Sequence, residues 1–125
     1  MNNTKIPPPL LPLLAKAKSC YLLWITFYET LPKLHKYTLG QKIDTLFVEV
    51  IEAISIATFL SREEKLPYVR AAIRKMDTVK IFLMILWEIK SLHDKKYIHL
   101  SVKINEIGKM LGGWQGQLLK NLPKK

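Results

Sequence analysis

Cysteine is almost absent from this sequence, in which Cys20 is the one thiol among 125 residues. A single cysteine excludes an intramolecular disulfide and leaves no cysteine cluster to hold a metal ion. His93 and His99 are six residues apart, which does not match the three- or four-residue step that places two ligands on one helix face. We therefore expect neither a metal nor a cofactor, and we expect a reducing cytoplasm as the location.

Long hydrophobic runs are absent as well. The seven apolar residues from Ile81 to Trp87 lie between Lys80 and Glu88, whereas a transmembrane helix needs about 20 such residues. The apolar residues near the N-terminus are interrupted by four prolines between positions 7 and 12, without a charged leader of the signal-peptide type. The sequence therefore predicts neither a membrane span nor a signal peptide, and no membrane partner.

Acidic residues are scarce, with 10 Asp and Glu against 20 Lys and Arg, which gives a net charge of +10. The sequence pI of about 9.8 favours a polyanionic partner, most simply nucleic acid. Residues 61–125 have 14 basic and 6 acidic side chains, so this half carries +8 of the net charge. The alternative is that the charge only keeps the protein soluble.

The alternation of apolar and polar residues typical of strands is also missing. Apolar residues recur instead at the three- and four-residue steps of amphipathic helices. Four such patterns are present, and they run from Leu10 to Leu31, Leu39 to Leu60, Val69 to Leu86 and Tyr97 to Leu118. Short connections make consecutive helices antiparallel neighbours. The sequence predicts an all-α fold, an up-down-up-down four-helix bundle over residues 10–120, between a flexible proline-rich arm at 1–9 and a basic tail at 121–125.

Two capping motifs predict where the second and third helices begin. Thr38 with Gln41 and Ser61 with Glu64 both have the three-residue spacing of a capping box, in which each side chain satisfies a free amide of the other residue. The second helix should therefore start at Leu39, after Pro32 has ended the first.

Signals for catalysis are weak. Cys20 lies beside an apolar stripe, and nothing in the sequence ties it to a histidine that could act as its base. Glu63 and Glu64 are adjacent, so on a helix they point about 100° apart rather than into one site. Gly112 and Gly113 follow no strand, which disfavours a phosphate-binding loop. We expect no enzymatic activity, and we expect this glycine pair to permit either close helix approach or a break in the helix.

The segment from Lys65 to Leu92 changes its pattern halfway along. Arg74 and Thr78 are polar on a face that later becomes apolar at Ile81 and Ile85. The second half of the segment is therefore apolar on two faces. Both faces should be packed against other residues, because large exposed apolar patches are unusual on soluble monomers. A homo-oligomer is therefore predicted, with an interface formed by Ile81, Phe82, Met84 and Ile85. The alternative is a helix covered entirely by its own chain.

Two groups of basic side chains form the predicted binding surface. The first is Lys33, His35 and Lys36, in the connection after the first helix. The second is Arg70 and Arg74, one helical turn apart, with Lys75 at their margin. The alternative is that both groups are ordinary solvated surface.

Several short motifs carry a resemblance to a known family. They are Leu31-Pro32-Lys33, Tyr37-Thr38-Leu39-Gly40, Ile107-Gly108 and Leu111-Gly112-Gly113-Trp114. In combination they resemble the accessory variability determinant (Avd) proteins of diversity-generating retroelements, over nearly the whole chain. The four-helix proteins encoded in intervening sequences of bacterial 23S rRNA genes share the architecture, although the Leu-Gly-Gly-Trp motif departs from their usual pattern.

The resemblance implies a four-helix bundle that assembles into a basic, barrel-like homopentamer without enzymatic activity. It implies binding to the reverse transcriptase of the element and to RNA or DNA, in support of mutagenic copying of a template repeat into a variable gene. The basic residues named above are then expected to contact the polymerase or nucleic acid. The alternative is a helical interaction protein of the 23S rRNA intervening-sequence type, with no direct role in reverse transcription.

Overall fold

The structure is a computed structural model, and it describes residues 10–120. The helices are α1 (Leu10–Tyr28), α2 (Lys33–His35), a π-helical segment (Lys36–Gly40), α3 (Gln41–Thr58), α4 (Arg62–Glu88) and α5 (Asp94–Lys120). No strand occurs in this described part of the chain, so the prediction of an all-α protein with four long helices is confirmed. The predicted arm at 1–9 and tail at 121–125 lie outside the described residues.

Each long helix packs against two others. α1 lies against α3 and α5, and α4 lies against the same two helices. The α1 and α5 pair is antiparallel: Lys16 forms an ion pair with Glu106 at 2.7 Å, and the ring of Phe27, further along α1, lies 6.4 Å from the ring of His99, earlier in α5. This arrangement brings the beginning of α1 to the second half of α5.

The α3 and α4 pair is antiparallel too. The Lys75 ammonium donates to Glu49 at 3.1 Å, and the Lys65 ammonium donates to the backbone carbonyls of Ala57 and Thr58 at 2.6 and 3.2 Å. Carbonyls in the last turn of a helix have no partner within it. Lys65 therefore satisfies the C-terminal end of α3 from the first turns of α4, and burial lowers the pKa of its ammonium, with a smaller contribution from nearby Arg62.

The core follows the predicted helical spacing most closely in α5. Its buried residues are Leu100, Ile104, Ile107, Leu111 and Leu118, all members of the apolar pattern found in the sequence. In α1 the most buried positions are Leu13, Ala17, Cys20 and Trp24. Ala17 and Trp24 belong to the predicted pattern of α1, whereas its members Leu14, Tyr21 and Tyr28 are only partly buried. The buried face is therefore shifted from the predicted one towards Leu13 and Cys20.

The predicted start of the second helix at Leu39 is wrong. The chain becomes helical at Lys33, directly after Pro32, and a five-residue π-helical segment leads into α3. The Thr38 hydroxyl donates back to the carbonyl of Leu34 at 2.9 Å. An interior threonine commonly bonds the carbonyl four residues earlier, so its hydroxyl is used in the helix and does not cap one.

The predicted start of α4 is correct, but its capping box does not form. Ser61 precedes the first helical residue, Arg62. The Ser61 hydroxyl donates to the Glu64 carboxylate at 2.9 Å, and the Glu64 amide donates to the Ser61 carbonyl at 3.0 Å. The two side chains therefore bind one another rather than the free amides of the helix. Among residues 10–120, no helix combines the length and the apolarity needed to span a membrane.

Candidate nucleic-acid interface

The first candidate surface is the arginine strip, formed by Arg70 and Arg74 on α4. Both side chains are exposed, opposite the buried Val69, Ala72 and Met76. Within residues 10–120 neither guanidinium has an acidic partner, so both charges are available to an external anion.

Lys75, placed at the margin of this strip by its sequence position, has a different environment. It is partly buried, and its ammonium forms an ion pair with Glu49 of α3 at 3.1 Å. An opposite charge at this distance offsets most of the local field of the lysine. The net positive charge of the strip therefore comes from the two arginines.

The second candidate surface is the basic end, which we define as Lys33, Lys36, Lys90, Lys95 and Lys96. α2 reaches the connection between α4 and α5 because His35 Nδ1 and Ser91 Oγ share a hydrogen bond. The sequence-predicted residues Lys33 and Lys36 are thereby brought towards three lysines that are more than fifty positions away in the chain. His35 serves to hold this junction together.

Aromatic rings support the lysines of the basic end. The Lys36 ammonium lies 5.4 Å from the centre of the Tyr28 ring, and the Lys96 ammonium lies 5.3 Å from the centre of the Phe27 ring. Such cation–π contacts hold the lysine stems against the protein without cancelling the charge. Three carboxylates, of Glu29, Glu88 and Asp94, are the acidic groups in the same turns and connections.

The arginine strip and the basic end are separate surfaces. Arg74 lies 14 residues before the last residue of α4, Glu88, which corresponds to about 21 Å at ~1.5 Å per residue. The structure therefore does not bring the two sequence-predicted basic groups together within one chain. An elongated polyanion could contact both, whereas a small anion could not.

The connection between α4 and α5 contains a cleft that was not predicted from the sequence. The cleft has a volume of about 470 Å³, and its lining includes Trp87, Lys90, His93, Asp94 and Lys95. In the sequence, Trp87 is the last residue of the apolar run that begins at Ile81, and the pattern predicts no ligand contact for it. The signal that could have revealed the cleft is an aromatic residue followed within eight positions by two lysines and a histidine.

The backbone at this connection has an unusual conformation at Lys90. Its φ of 65° is the one positive value at a non-glycine residue in the described part of the chain. The amides of Lys90 and Ser91 donate to the carbonyls of Trp87 and Leu86 at 3.0 and 2.9 Å. This is the Schellman pattern of a helix C-terminus, in which glycine usually occupies the left-handed position.

The predicted oligomer residues on α4 differ in exposure. Ile81 is 51% exposed, Met84 and Ile85 are partly buried, and Phe82 packs against the core. Leu83 and Leu86 on the opposite side are fully buried. One face of the run is thus covered by the chain itself, and the face centred on Ile81 is open to solvent.

The remaining candidate chemical group is the thiol of Cys20. The side chain is fully buried, and burial raises its pKa from 9.0 to about 12, while Lys103 lowers the pKa by a smaller amount. A nucleophilic cysteine needs an accessible thiolate, and this thiol is protonated and enclosed. In residues 10–120, no cluster of three or more His, Cys, Asp or Glu could hold a metal ion.

These observations define an all-helical protein whose exposed lysine and arginine side chains are its main chemical feature. A sequence model of the bAvd-like family matches residues 18–118, and the chain therefore belongs to this family. The match includes parts of all four long helices and confirms the resemblance drawn from the short motifs. No curated protein and no solved structure matches the chain significantly.

Proposed function

We propose that this protein is a non-enzymatic, cytoplasmic accessory protein of a diversity-generating retroelement. It binds the reverse transcriptase of the element and its nucleic acid, and thereby supports mutagenic reverse transcription. The observation that carries the proposal is the match of residues 18–118 to the bAvd-like family. The antiparallel helix pairs support an up-down-up-down bundle, and the open face at Ile81 supports assembly into a homo-oligomer, with five subunits suggested by the family resemblance alone.

The physical basis of nucleic-acid binding in this proposal is the unpaired positive charge. Each contact between a phosphate and a lysine or arginine releases condensed counterions, which makes binding strongly dependent on salt. In a homo-oligomer the arginine strip is repeated in every subunit. Weak contacts to single phosphates then act together on one long strand, because each later contact is intramolecular.

The test is the double substitution Arg70→Glu with Arg74→Glu. Its matched control is Lys18→Glu with Lys42→Glu, which lowers the net charge equally at two exposed lysines of α1 and α3. We expect the arginine variant to bind a single-stranded RNA more weakly. Loss of two phosphate contacts per bound subunit should reduce the slope of log K against log salt by roughly 1.4, at about 0.7 for each single-strand contact.

The same variants should be tested for binding to the reverse transcriptase, after light scattering has shown that their mass is unchanged. If the arginine variant keeps the affinity and salt slope of the wild type for both ligands, the arginine strip is not the binding surface. If the wild type binds the polymerase but shows no salt-dependent binding to RNA or DNA, the charge serves protein docking. An absence of both bindings favours the interaction protein of the 23S rRNA intervening-sequence type.

A further inference from the structure

The indole of Trp87 is held in a fixed orientation at the edge of the cleft between α4 and α5. Its ring stacks on Tyr97, with centroids 5.0 Å apart and ring planes within 12° of parallel. Its Nε1 donates to the Asp94 carboxylate at 2.7 Å. Tyr97 thus holds one face of the ring and Asp94 holds its N–H edge. The side chain is nevertheless 38% exposed.

Trp87 is part of the lining of the cleft. Tyr97 covers one face of the ring, and the residues that line the cleft include Trp87 but not Tyr97. A flat ligand entering the cleft would therefore meet a flat aromatic surface whose orientation is already set. Such pre-organisation lowers the entropy lost on binding.

The charged groups of the cleft favour an anion next to this flat surface. Lys90 and Lys95 line the cleft, and within residues 10–120 neither ammonium forms an ion pair. The Asp94 carboxylate is also part of the lining, but one of its oxygens already accepts the indole N–H. A ligand that combines a planar ring with a nearby phosphate satisfies both features, and an unpaired nucleotide has this composition.

We propose that Trp87 is a stacking platform for one unpaired base of a single-stranded nucleic acid, with Lys90 and Lys95 contacting the phosphates on either side. This inference rests on the proposed function, because it names the part of the nucleic acid that one site recognises. Bases in a duplex are already stacked on their neighbours and present only their edges. The platform therefore distinguishes single strands from duplexes, which phosphate contacts alone would do poorly.

The experiment compares three probes of equal length: a single-stranded oligonucleotide, the same strand with abasic sugars, and a duplex. The abasic strand keeps the phosphates and lacks the bases. We expect the wild-type protein to bind the base-containing strand roughly 5- to 150-fold more tightly than the abasic strand, the range that one base stack gives. Binding of the base-containing strand should also quench tryptophan emission, and the abasic strand should not.

Trp87→Leu should abolish this preference and leave the affinities for the abasic strand and the duplex unchanged. Trp87→Phe retains an aromatic face and should recover most of the preference. Tyr68→Leu is the matched control, since Tyr68 lies on the same helix and is 39% exposed, but it does not line the cleft. Circular dichroism and light scattering show whether the variants keep their fold and mass.

The outcomes separate this inference from the proposed function. A wild-type protein that binds both single strands equally, in a salt-dependent manner, retains the proposed function and overturns the stacking platform. Equal loss of preference in Tyr68→Leu and Trp87→Leu also overturns it. A wild-type protein that binds none of the probes at low salt contradicts nucleic-acid binding and the platform together. If Trp87→Leu does not fold, Trp87→Phe decides the question, because it should keep most of the preference for the base-containing strand and lose the quenching, whereas unchanged quenching would assign the stack to another tryptophan.

Discussion

Lys90 occupies a backbone conformation that disfavours any side chain. With φ at 65°, it has the left-handed conformation that costs an L-residue roughly 1–2 kcal/mol. Replacing it with glycine removes this cost but increases the entropy of the unfolded chain. We expect Lys90→Gly to raise the free energy of unfolding by about 0.5–1 kcal/mol, as measured by urea denaturation, and to weaken binding of single strands.

Lys95→Ala is the control for this substitution. It removes a lysine of the same cleft from the first turn of α5, where the backbone is helical. We expect weaker binding with a nearly unchanged free energy of unfolding. If Lys90→Gly is less stable than the wild type, the side chain of Lys90 contributes more to the turn than its backbone conformation costs.

The thiol of Cys20 gives the protein a dependence of stability on alkaline pH. Its pKa is about 12 in the folded protein and 9.0 when exposed, so the unfolded chain loses this proton first. Between these values the folded state binds more protons, and stability falls as pH rises, by up to ~1.4 kcal/mol per pH unit from this group. The free energy of unfolding between pH 8.5 and 10.5 should therefore decline more steeply in the wild type than in Cys20→Ala.

Lysines and tyrosines also titrate in this pH range, and both proteins contain the same set of them. Only the difference between the two slopes therefore reports on Cys20. Identical slopes would contradict burial of the thiol.

At the scale of helices, two glycines have opposite roles. A Cβ added to Gly40 would lie 3.0 Å from side-chain atoms of both Leu31 and Tyr28, whereas one added to Gly113 would have no atom within 4 Å. Gly40→Ala should lower the free energy of unfolding by about 1–3 kcal/mol through overpacking. Gly113→Ala should raise it by up to ~1 kcal/mol through helix propensity, unless the assembled protein buries this face.

The expectation that Gly112 and Gly113 allow close helix approach or a break is therefore wrong for the single chain. α5 continues without interruption from Asp94 to Lys120, and both glycines face open space. A measured loss of oligomer mass in Gly113→Ala, with the helix content unchanged, would place this face at a contact between subunits. Thermal unfolding and light scattering of the two alanine variants separate these effects.

Much of the fold was predictable because helix periodicity is a local property. The stripe of α5 from Leu100 to Leu118 is buried at the expected positions. The start of the second helix was missed because the Thr38 and Gln41 motif has the spacing of a cap, while Pro32 gives the actual start six residues earlier. Proline is well tolerated at the beginning of a helix, and this signal outweighed the capping motif.

The candidate site was less predictable because it depends on contacts between distant segments. His35 meets Ser91 across 56 positions, and Lys75 meets Glu49 across 26. Neither partner can be identified from spacing in a single sequence. The open face of α4 was predictable from Ile81, whereas the orientation of Trp87 depends on Tyr97 and Asp94 in the next helix.

At the scale of the whole molecule, two of the regions that expose apolar side chains lie on different long helices, α4 and α5. One is the face of α4 centred on Ile81, which is 51% exposed. The other is an apolar patch formed by Ile98 and Val102 of α5, which are 59% and 63% exposed. Ile98 and Val102 are four residues apart in α5 and therefore lie on one face of this helix.

Two different patches on one subunit suit a head-to-tail interface. A ring requires each subunit to present one surface to its predecessor and another to its successor, whereas a two-fold dimer uses one surface twice. The Ile81 face lies on α4 and the apolar patch lies on α5, so one subunit presents two distinct surfaces. We expect the Ile81 face of one subunit to pack on the apolar patch of the next.

Mixing two assembly-defective variants tests this arrangement. Ile81→Glu and Val102→Glu should each reduce the mass of the protein from a multimer towards 14.5 kDa, because a buried unpaired carboxylate is costly. Ile81→Glu keeps the apolar patch intact, and Val102→Glu keeps the Ile81 face intact. Their mixture should therefore form a heterodimer through one complete interface and stop there, since the remaining surfaces both carry a defect.

Ile56→Glu, at a residue of α3 that is 45% exposed, is the control and should not change the mass. A wild-type protein that is monomeric at micromolar concentration would contradict assembly, and a mixture that remains monomeric would contradict head-to-tail packing of these two patches.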